Sequence, residues 1–472
     1  MTDDHPIRIA VIGSGPAGFY AAGHLLKDSD GRVEVDMIER LPTPWGLVRS
    51  GVAPDHPKIK SVSRVYEKTA AHARFRFFGN VNFGEHVSRD DLREHYHAIV
   101  YATGSAVDRP LGIPGEGLSG SHAATEFVGW YNGHPDHVEL EVDLLSAERA
   151  VVVGNGNVAL DVARMLVLTT EELASTDVAD HALQVLAQSR VREVIIVGRR
   201  GPAQAAFTNP ELLELGELSD ADVIIDPDEL ELALSVPDDR AEVDVTARRN
   251  VEILRSYAER SPAGRPRRIV LRFLLSPVAL EPGPDGHLGA VALVRNELVA
   301  DSSGNLRAKP TDAHERIEVG LLFRAIGYRG VPLPGVPFDE RAGTIPNAHG
   351  RVLDPDTGSP VPGEYVVGWI KRGPSGVIGT NKKDAQETVD AILADIAASN
   401  GDGRGPAPAM TDAALAEAML CAHQPALVTY AGWEEIDRHE RSAGEPAGRP
   451  RVKLTRIDEM LRVAATEDPG SA

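Results

Sequence analysis

Apolar runs that read as strands are separated along the chain by amphipathic stretches, and glycine or proline marks many of the changes. The clearest case is residues 7–19, IRIAVIGSGPAGF. Ile7, Ile9, Val11 and Ile12 form an almost continuous apolar run, the pattern of a parallel strand buried on both faces. Glycine breaks the run and an apolar-periodic stretch follows, which predicts strand, tight turn and helix. Further strands are predicted over 33–38, 75–83 and 98–104. Residues 41–60 carry four prolines and two glycines, which predicts a rigid loop without a regular element. The opening pattern returns at 149–163, with a strand over 150–153, inserted helix over 169–190 and the next strand over 194–197. Residues 251–257 read as helix, and 269–275, 290–295, 321–326 and 364–370 as strands. A helix through Ile392 and Ile396 follows, then a Gly/Pro-rich break at 400–408 and two or three short helices. Strands alternating with helices predict an α/β fold with parallel sheets.

Composition narrows the chemistry. At 472 residues the chain has room for two or three domains. A formal charge of −21 argues against general binding to nucleic acid or anionic membranes. No stretch approaches the length of charge-free apolar sequence that spans a bilayer, and the acidic start shows no targeting segment, so a cytoplasmic protein is expected. The single cysteine, Cys421, excludes an intrachain disulfide, a CxxC redox pair and a thiolate-held iron–sulfur cluster. It reads as a small buried apolar residue. Electrons handled here must therefore leave through an organic cofactor or an outside partner.

The two glycine turns carry the sharper signal. Gly13, Gly15 and Gly18 complete GxGxxG: a tight turn, close approach of backbone to a pyrophosphate, and close packing of helix on strand. The phosphates would meet the helix N-terminus. The second predicted strand ends at Glu39, where a carboxylate accepts ribose hydroxyl protons and repels a 2′-phosphate. This half therefore suits FAD or NAD and not NADP. The second turn, Gly154, Gly156 and Ala159, leads to a strand ending in Gly198-Arg199-Arg200-Gly201. No acid stands where Glu39 stood, and paired guanidinium groups suit a phosphate monoester. NADP(H) is inferred for this half.

Other residues have two readings on spacing alone. His56, between Asp55 and Pro57, is a solvated loop histidine or a titrating group beside a flat ring offered apolar contact by Trp45, Leu47 and Val48. Asn209-Pro210-Glu211 reads as N-cap, N1 and an acid in the first turn, and Glu211 is either that or functional. Arg248, Arg249, Arg255, Arg260, Arg265, Arg267 and Arg268 concentrate positive charge in an acidic chain, as a solvated face or as a dock for an acidic partner. Residues 220–239 are acidic and weakly patterned. The glycine-rich turn 373–379 offers amides to a polar cofactor edge.

Together GSGPAGFYAA, PTPWGLVRSGVAPDHPKIK, GNGNVALDVAR, VGRRGP with FTNPEL, and EYVVGWIKRGPSGVIGTNKKDA resemble the NADPH-ferredoxin reductases of the adrenodoxin reductase type. The likeness covers residues 7–398, with GRPRVKL near the end like the bacterial branch. It implies two Rossmann-like dinucleotide-binding domains: an FAD domain from 1–107 and 327–472, the latter including the C-terminal helices, with an NADP domain over 108–326 inserted between. It also implies FAD contacts at Gly13, Gly15, Ala17, Gly18, Glu39, Leu47, Phe83, Trp369, Gly376, Val377 and Ile378. NADP contacts are implied at Asn155, Gly156, Asn157, Val158, Arg199, Arg200, Glu211 and Gly376, and a catalytic role at His56 and Glu211. No metal is implied. The expected activity is electron transfer between NADPH and a one-electron iron–sulfur carrier such as ferredoxin, docked near Arg248 and Arg249. A flavin monooxygenase or a redox-sensing binding module are the competing readings. A hydroperoxide stable after NADPH oxidation marks the first, and absence of NADPH-dependent flavin reduction the second.

Overall fold

The computed structural model describes residues 6–234, 244–302, 304–402 and 412–466. Two compact units divide the chain: one joins Met1–Val107 to Tyr328–Ala472, the other is Asp108–Gly327.

The first unit is built on an eight-stranded sheet in the order Asn347–Ala348, Arg351–Leu353, Pro360–Val366, Ala98–Tyr101, Ile7–Ile12, Val33–Ile38, Phe75–Gly79, Val428–Thr429. Its five middle strands are parallel and its outer pairings antiparallel. The opening strand behaves as its pattern predicts. Ile9 and Val11 enter one core, Ala10 and Ile12 the other, and all four are at most 3% exposed. A strand with both faces covered has no polar alternation to show. The helix Pro16–Asp28 packs with Thr380–Asp402 over one face.

The second unit has a six-stranded, wholly parallel sheet in the order Ser121–Ala123, Leu321–Arg324, Arg149–Val153, Glu193–Gly198, Arg267–Phe273, Ala221–Ile225. Ala150 and Val152 point to one core, Val151 and Val153 to the other. A three-stranded antiparallel sheet, Leu275–Pro282, Leu288–Ala300 and Leu306–Glu318, packs on the second of these faces.

Several expectations need correction. The strand expected over 75–83 stops at Gly79, because Asn80 takes a left-handed φ of 60°. The strand expected over 364–370 is Pro360–Val366, and Trp369–Arg372 is instead a single helical turn entered through Gly368 at φ 77°. The loop 41–60 contains two one-turn helices, Leu47–Ser50 and Pro57–Lys60, since Pro57 tolerates the first turn of a helix. The inserted helix over 169–190 is two, Thr170–Ala174 and Asp180–Leu186. In the stretch 220–239, Ala221–Ile225 is a strand and Pro227–Leu234 a helix, and 235–239 lie outside the described residues. Cys421 is exposed on the helix Ala413–His423. Among the described residues no helix is long and apolar enough to cross a membrane.

Candidate functional site

In the first unit the glycine turn is as tight as its spacing requires. Gly13 has φ 106°, and a Cβ there would stand 2.7 Å from the Ala102 carbonyl oxygen; a Cβ on Gly18 would collide with the Gly13 carbonyl. A Cβ on Gly15, by contrast, would meet nothing within 4 Å. The middle glycine therefore faces open space at the start of the helix Pro16–Asp28, whose first amide groups have no partner in the helix. Room for a pyrophosphate is what remains when the other two glycines are accounted for by packing.

Glu39 is fixed beside this turn. Its Oε2 accepts from the Ser14 amide at 2.9 Å and the Ser14 hydroxyl at 2.6 Å, and its Oε1 from the Leu41 amide at 3.1 Å. The loop that follows folds back over the turn: the Trp45 amide donates to the Ser14 carbonyl at 3.0 Å. Trp45 takes φ 83°, a conformation that costs backbone strain for a side chain as bulky as indole, and Gly46 follows at φ 48°, which glycine adopts freely. A Cβ on Gly46 would lie 2.9 Å from the Gly15 Cα. The indole nitrogens of Trp45 and Trp369 are both buried without a hydrogen-bond partner among the described residues, so a group bound here would find donors ready.

The remaining residues singled out in this unit have varied settings. Ala17 is buried, with Gly368 packed so closely that a Cβ there would come 2.5 Å from the Ala17 Cβ. Trp369 stacks on Tyr328 at 5.5 Å. Gly376 and Val377 are exposed and Ile378 half-buried before the helix Thr380–Asp402. Leu47 is exposed, and Phe83 is buried edge-on to Tyr101 at 5.9 Å. His56 is only 7% exposed, so the solvated-loop reading of it falls.

The second unit repeats the cradle with a different selector. Gly154 has φ 132°, and a Cβ on it would collide with the Ala325 carbonyl; Gly156 faces nearly empty space, with the Ala206 Cβ at 3.9 Å. The Asn155 side-chain amide nitrogen is buried without a hydrogen-bond partner among the described residues. Asn157 is engaged otherwise: its Oδ1 accepts from the Thr208 amide at 2.8 Å and so ties the helix Asn157–Val167 to the start of Asn209–Glu214. Val158 is half-buried against the core. Arg199 is exposed and Arg200 half-buried, just beyond the strand Glu193–Gly198. Asn296, 3% exposed, donates its side-chain amide to the Arg199 carbonyl at 3.0 Å.

Thr208, not Asn209, is the N-cap residue of Asn209–Glu214. Asn209 instead donates its side-chain amide to the Asn250 Oδ1 at 2.7 Å and the Thr246 carbonyl at 3.0 Å. Glu211 is 8% exposed and lies 3.4 Å from Nη1 of Arg164, which also meets Asp161 and Glu214. A capping role does not need so buried a carboxylate, and the Arg164 guanidinium, 2% exposed, fixes its orientation.

A family model described as pyridine nucleotide-disulphide oxidoreductase matches residues 7–200. Over 462 residues the chain is 53% identical to the NADPH-ferredoxin reductase FprA of Mycobacterium tuberculosis, covering 97% of this chain and 99% of that protein. The chain belongs to the NADPH-ferredoxin reductase family. The mitochondrial NADPH:adrenodoxin oxidoreductase of Arabidopsis thaliana is 41% identical over 473 residues, with 98% and 96% covered. The solved structure of M. tuberculosis FprA in complex with NADPH matches with a TM-score of 0.91 at 52% identity, covering 98% of this chain and all of that one. The two Rossmann-like units, one inserted in the other, are thus those of a reductase of this family.

Two positioning residues escaped the sequence reading. Asn296 stands between Arg295 and Glu297 in the strand Leu288–Ala300, so nothing local distinguishes it from a solvated polar stretch. Glu440, 0% exposed on Tyr430–Gly444, pairs with Arg49 of the loop 41–60; nothing local in its helix marks it as buried.

Proposed function

We infer that this reductase is an FAD-dependent enzyme that moves electrons between NADPH and a ferredoxin-type iron–sulfur protein. The observation that carries the inference is the pairing of two open glycine cradles with opposite selectors, a fixed carboxylate at Glu39 and an exposed guanidinium at Arg199. FAD suits the first unit, where Glu39 presents acceptors to ribose hydroxyls and the unpartnered Trp45 and Trp369 indoles lie ready to complete the site. NADP(H) suits the second, where Arg199 and Arg200 take the 2′-phosphate, through donors that Lys could not arrange as a fork. When bound, the flavin supplies the conversion between a two-electron hydride and single electrons.

The chain's own residues do the rest. Gly13 and Gly18 close the turn, so that the helix amides point at phosphate rather than at a side chain. The hydrogen bond from the Trp45 amide to the Ser14 carbonyl holds the loop over the glycine turn. Oxidation of NADPH by one-electron acceptors releases a proton, and His56 Nε2 and the Glu211 carboxylate are assigned to hold or pass it. Arg164 orients Glu211 for that task. Leu47, Phe83, Ala17 and the turn Gly376, Val377 and Ile378 are assigned to the flavin, and Asn155, Gly156, Asn157 and Val158 to the nicotinamide nucleotide. Arg248 and Arg249, exposed on the helix Val245–Ala258, are assigned to steer the acidic partner, with Arg249 partly offset by Glu252 at 2.8 Å.

The test is NADPH oxidation coupled to cytochrome c reduction by the yellow holoenzyme, with and without an added low-potential ferredoxin. A large stimulation that weakens with salt supports the reading. Flavin reduction that ferredoxin does not accelerate would refute the partner and leave the nucleotide assignments standing.

A further inference from the structure

A cavity of about 990 Å³ opens within the second unit, at the end of its sheet opposite the glycine turn. It lies where the parallel strands Arg149–Val153, Glu193–Gly198 and Arg267–Phe273 begin, whereas Gly154 and Arg199 lie where two of these strands finish. Nucleotides in sheets of this kind bind at the finishing end. The cavity is therefore separate from the NADP(H) site.

Its charge is unevenly satisfied. Of the six acids on its wall, Glu193 takes Arg149 and Arg268, Glu148 takes Arg190 at 2.9 Å, Glu318 takes Arg316 at 3.4 Å, Asp143 and Asp285 accept from the Ser146 and His287 amides, and Glu141 is exposed to solvent. Three arginines on the wall have no carboxylate within ion-pair distance among the described residues. Arg192 reaches only the Val191 and Ser189 carbonyls, at 3.3 and 3.5 Å. Arg265 donates to the Leu218 and Ala221 carbonyls, and Arg267 to those of Val167 at 3.0 Å and Leu168 at 2.7 Å. In each case these side-chain bonds use Nη1, and a guanidinium has five N–H donors in all. On the same wall the His122 ring, stacked on Phe323 at 5.6 Å, has its Nε2 buried and without a hydrogen-bond partner among the described residues.

We propose that this cavity binds a small phosphate-bearing anion, gripped by Arg192, Arg265 and Arg267 and hydrogen-bonded by His122. Burial and then the neighbouring Arg192 charge push the Arg267 guanidinium below its ordinary pKa, the mark of positive charge that a bound anion would offset. Burial likewise holds His122 below its ordinary value, so at neutral pH it is an uncharged imidazole able to donate or accept. In an acidic chain, arginines held by carbonyls alone are preorganised for phosphate, which takes paired N–H donors.

Inorganic pyrophosphate is the probe, titrated calorimetrically into the holoenzyme with NADP⁺ saturating, so that the 2′-phosphate site is filled. One site is expected, weakened roughly tenfold or more by Arg192→Gln, since a hydrogen bond to a charged group carries that much affinity. Arg199→Ala should leave it unchanged. Arg192 is exposed, so its variant folds even if Arg267→Gln does not. No binding at millimolar pyrophosphate overturns the proposal, as does binding that Arg192→Gln leaves intact or that Arg199→Ala abolishes. Saturable binding of an acidic peptide where pyrophosphate fails would equally overturn it, in favour of a protein partner.

Discussion

Replacing Glu440 should show how far the C-terminal helices are needed to hold the loop 41–60. The carboxylate is 0% exposed and takes two hydrogen bonds from Arg49, at 2.8 and 2.5 Å, a third from Arg451 at 3.1 Å and a fourth from the Leu454 amide at 2.9 Å. Arg49 also lies over the Trp433 ring, and Trp433 meets Trp45 edge-on at 4.9 Å. Glu440→Ala leaves the buried Arg49 without its counter-charge, while Arg451 keeps Asp437 at 2.7 Å. Breaking such a pair costs about 3–5 kcal/mol. At about 2–4 °C per kcal/mol for a large domain, the melting temperature of the holoenzyme should fall by about 10 °C. Glu440→Gln keeps the shape and one acceptor oxygen, although its NH2 meets N–H donors, and should fall by less. Burial alone would raise the Glu440 pKa, but Arg49 and Arg451 overcome that and hold it below the usual carboxylate value. Its folded-state pKa is thus the lower one. The stabilisation is present above the unfolded carboxylate pKa and is lost as the pH falls through the folded one. Melting followed by both circular dichroism and the fluorescence of released flavin, from pH 7 downward, reads the effect. If Glu440→Ala melts within 2 °C of the parent protein, or loses no more stability at pH 7 than in acid, the buried pair is not what holds the loop.

Other perturbations separate the remaining assignments. Gly15→Ala should leave the apoprotein's melting temperature nearly unchanged, because a Cβ there meets nothing, yet abolish tight FAD retention on reconstitution. Gly13→Ala should destabilise the apoprotein itself, at a cost of roughly 1–3 kcal/mol for a strained φ. Arg199→Ala with Arg200→Ala should cut the kcat/KM preference for NADPH over NADH by roughly 10- to 100-fold, the worth of one to two charge-assisted hydrogen bonds; an unchanged ratio refutes the 2′-phosphate assignment. Arg248→Glu with Arg249→Glu should slow ferredoxin reduction at low salt and flatten its salt dependence. Rates that stay unaltered would move the dock elsewhere. Cys421→Ser, at an exposed helical position, should change stability by about 0.5 kcal/mol or less in denaturant titration.

Much of the site was legible because its chemistry is local. A strand, a glycine turn and a helix start are contiguous, so the spacing of Gly13, Gly15 and Gly18 already states which backbone positions lack room for a Cβ and which face a ligand. Glu39 and Arg199 follow their strands directly, and strand direction alone puts them near the turn. Elements whose limits depend on partners were less legible. The strand Leu306–Glu318 is exposed and polar along much of its length, and is a strand because Leu288–Ala300 supplies its ladder. Trp369–Arg372 has the composition of a strand, but Gly368 turns the chain and ends the pairing.

By itself, then, the sequence determined the α/β class, the two glycine turns and the impossibility of an intrachain disulfide, all set by residue type at short spacing. Tertiary structure alone decided what depends on distant residues meeting. Asp36, 1% exposed, is tolerable inside the first sheet only because Arg8, Arg76 and Tyr96 converge on it from other elements. Burial of His56 and Glu211 raised both above their local readings as loop and cap. The tail, featureless as sequence, supplies Glu440 and Trp433 to a loop nearly four hundred residues earlier in the chain. A buried charge is affordable only where its partners arrive, and no spacing along the chain records that arrival.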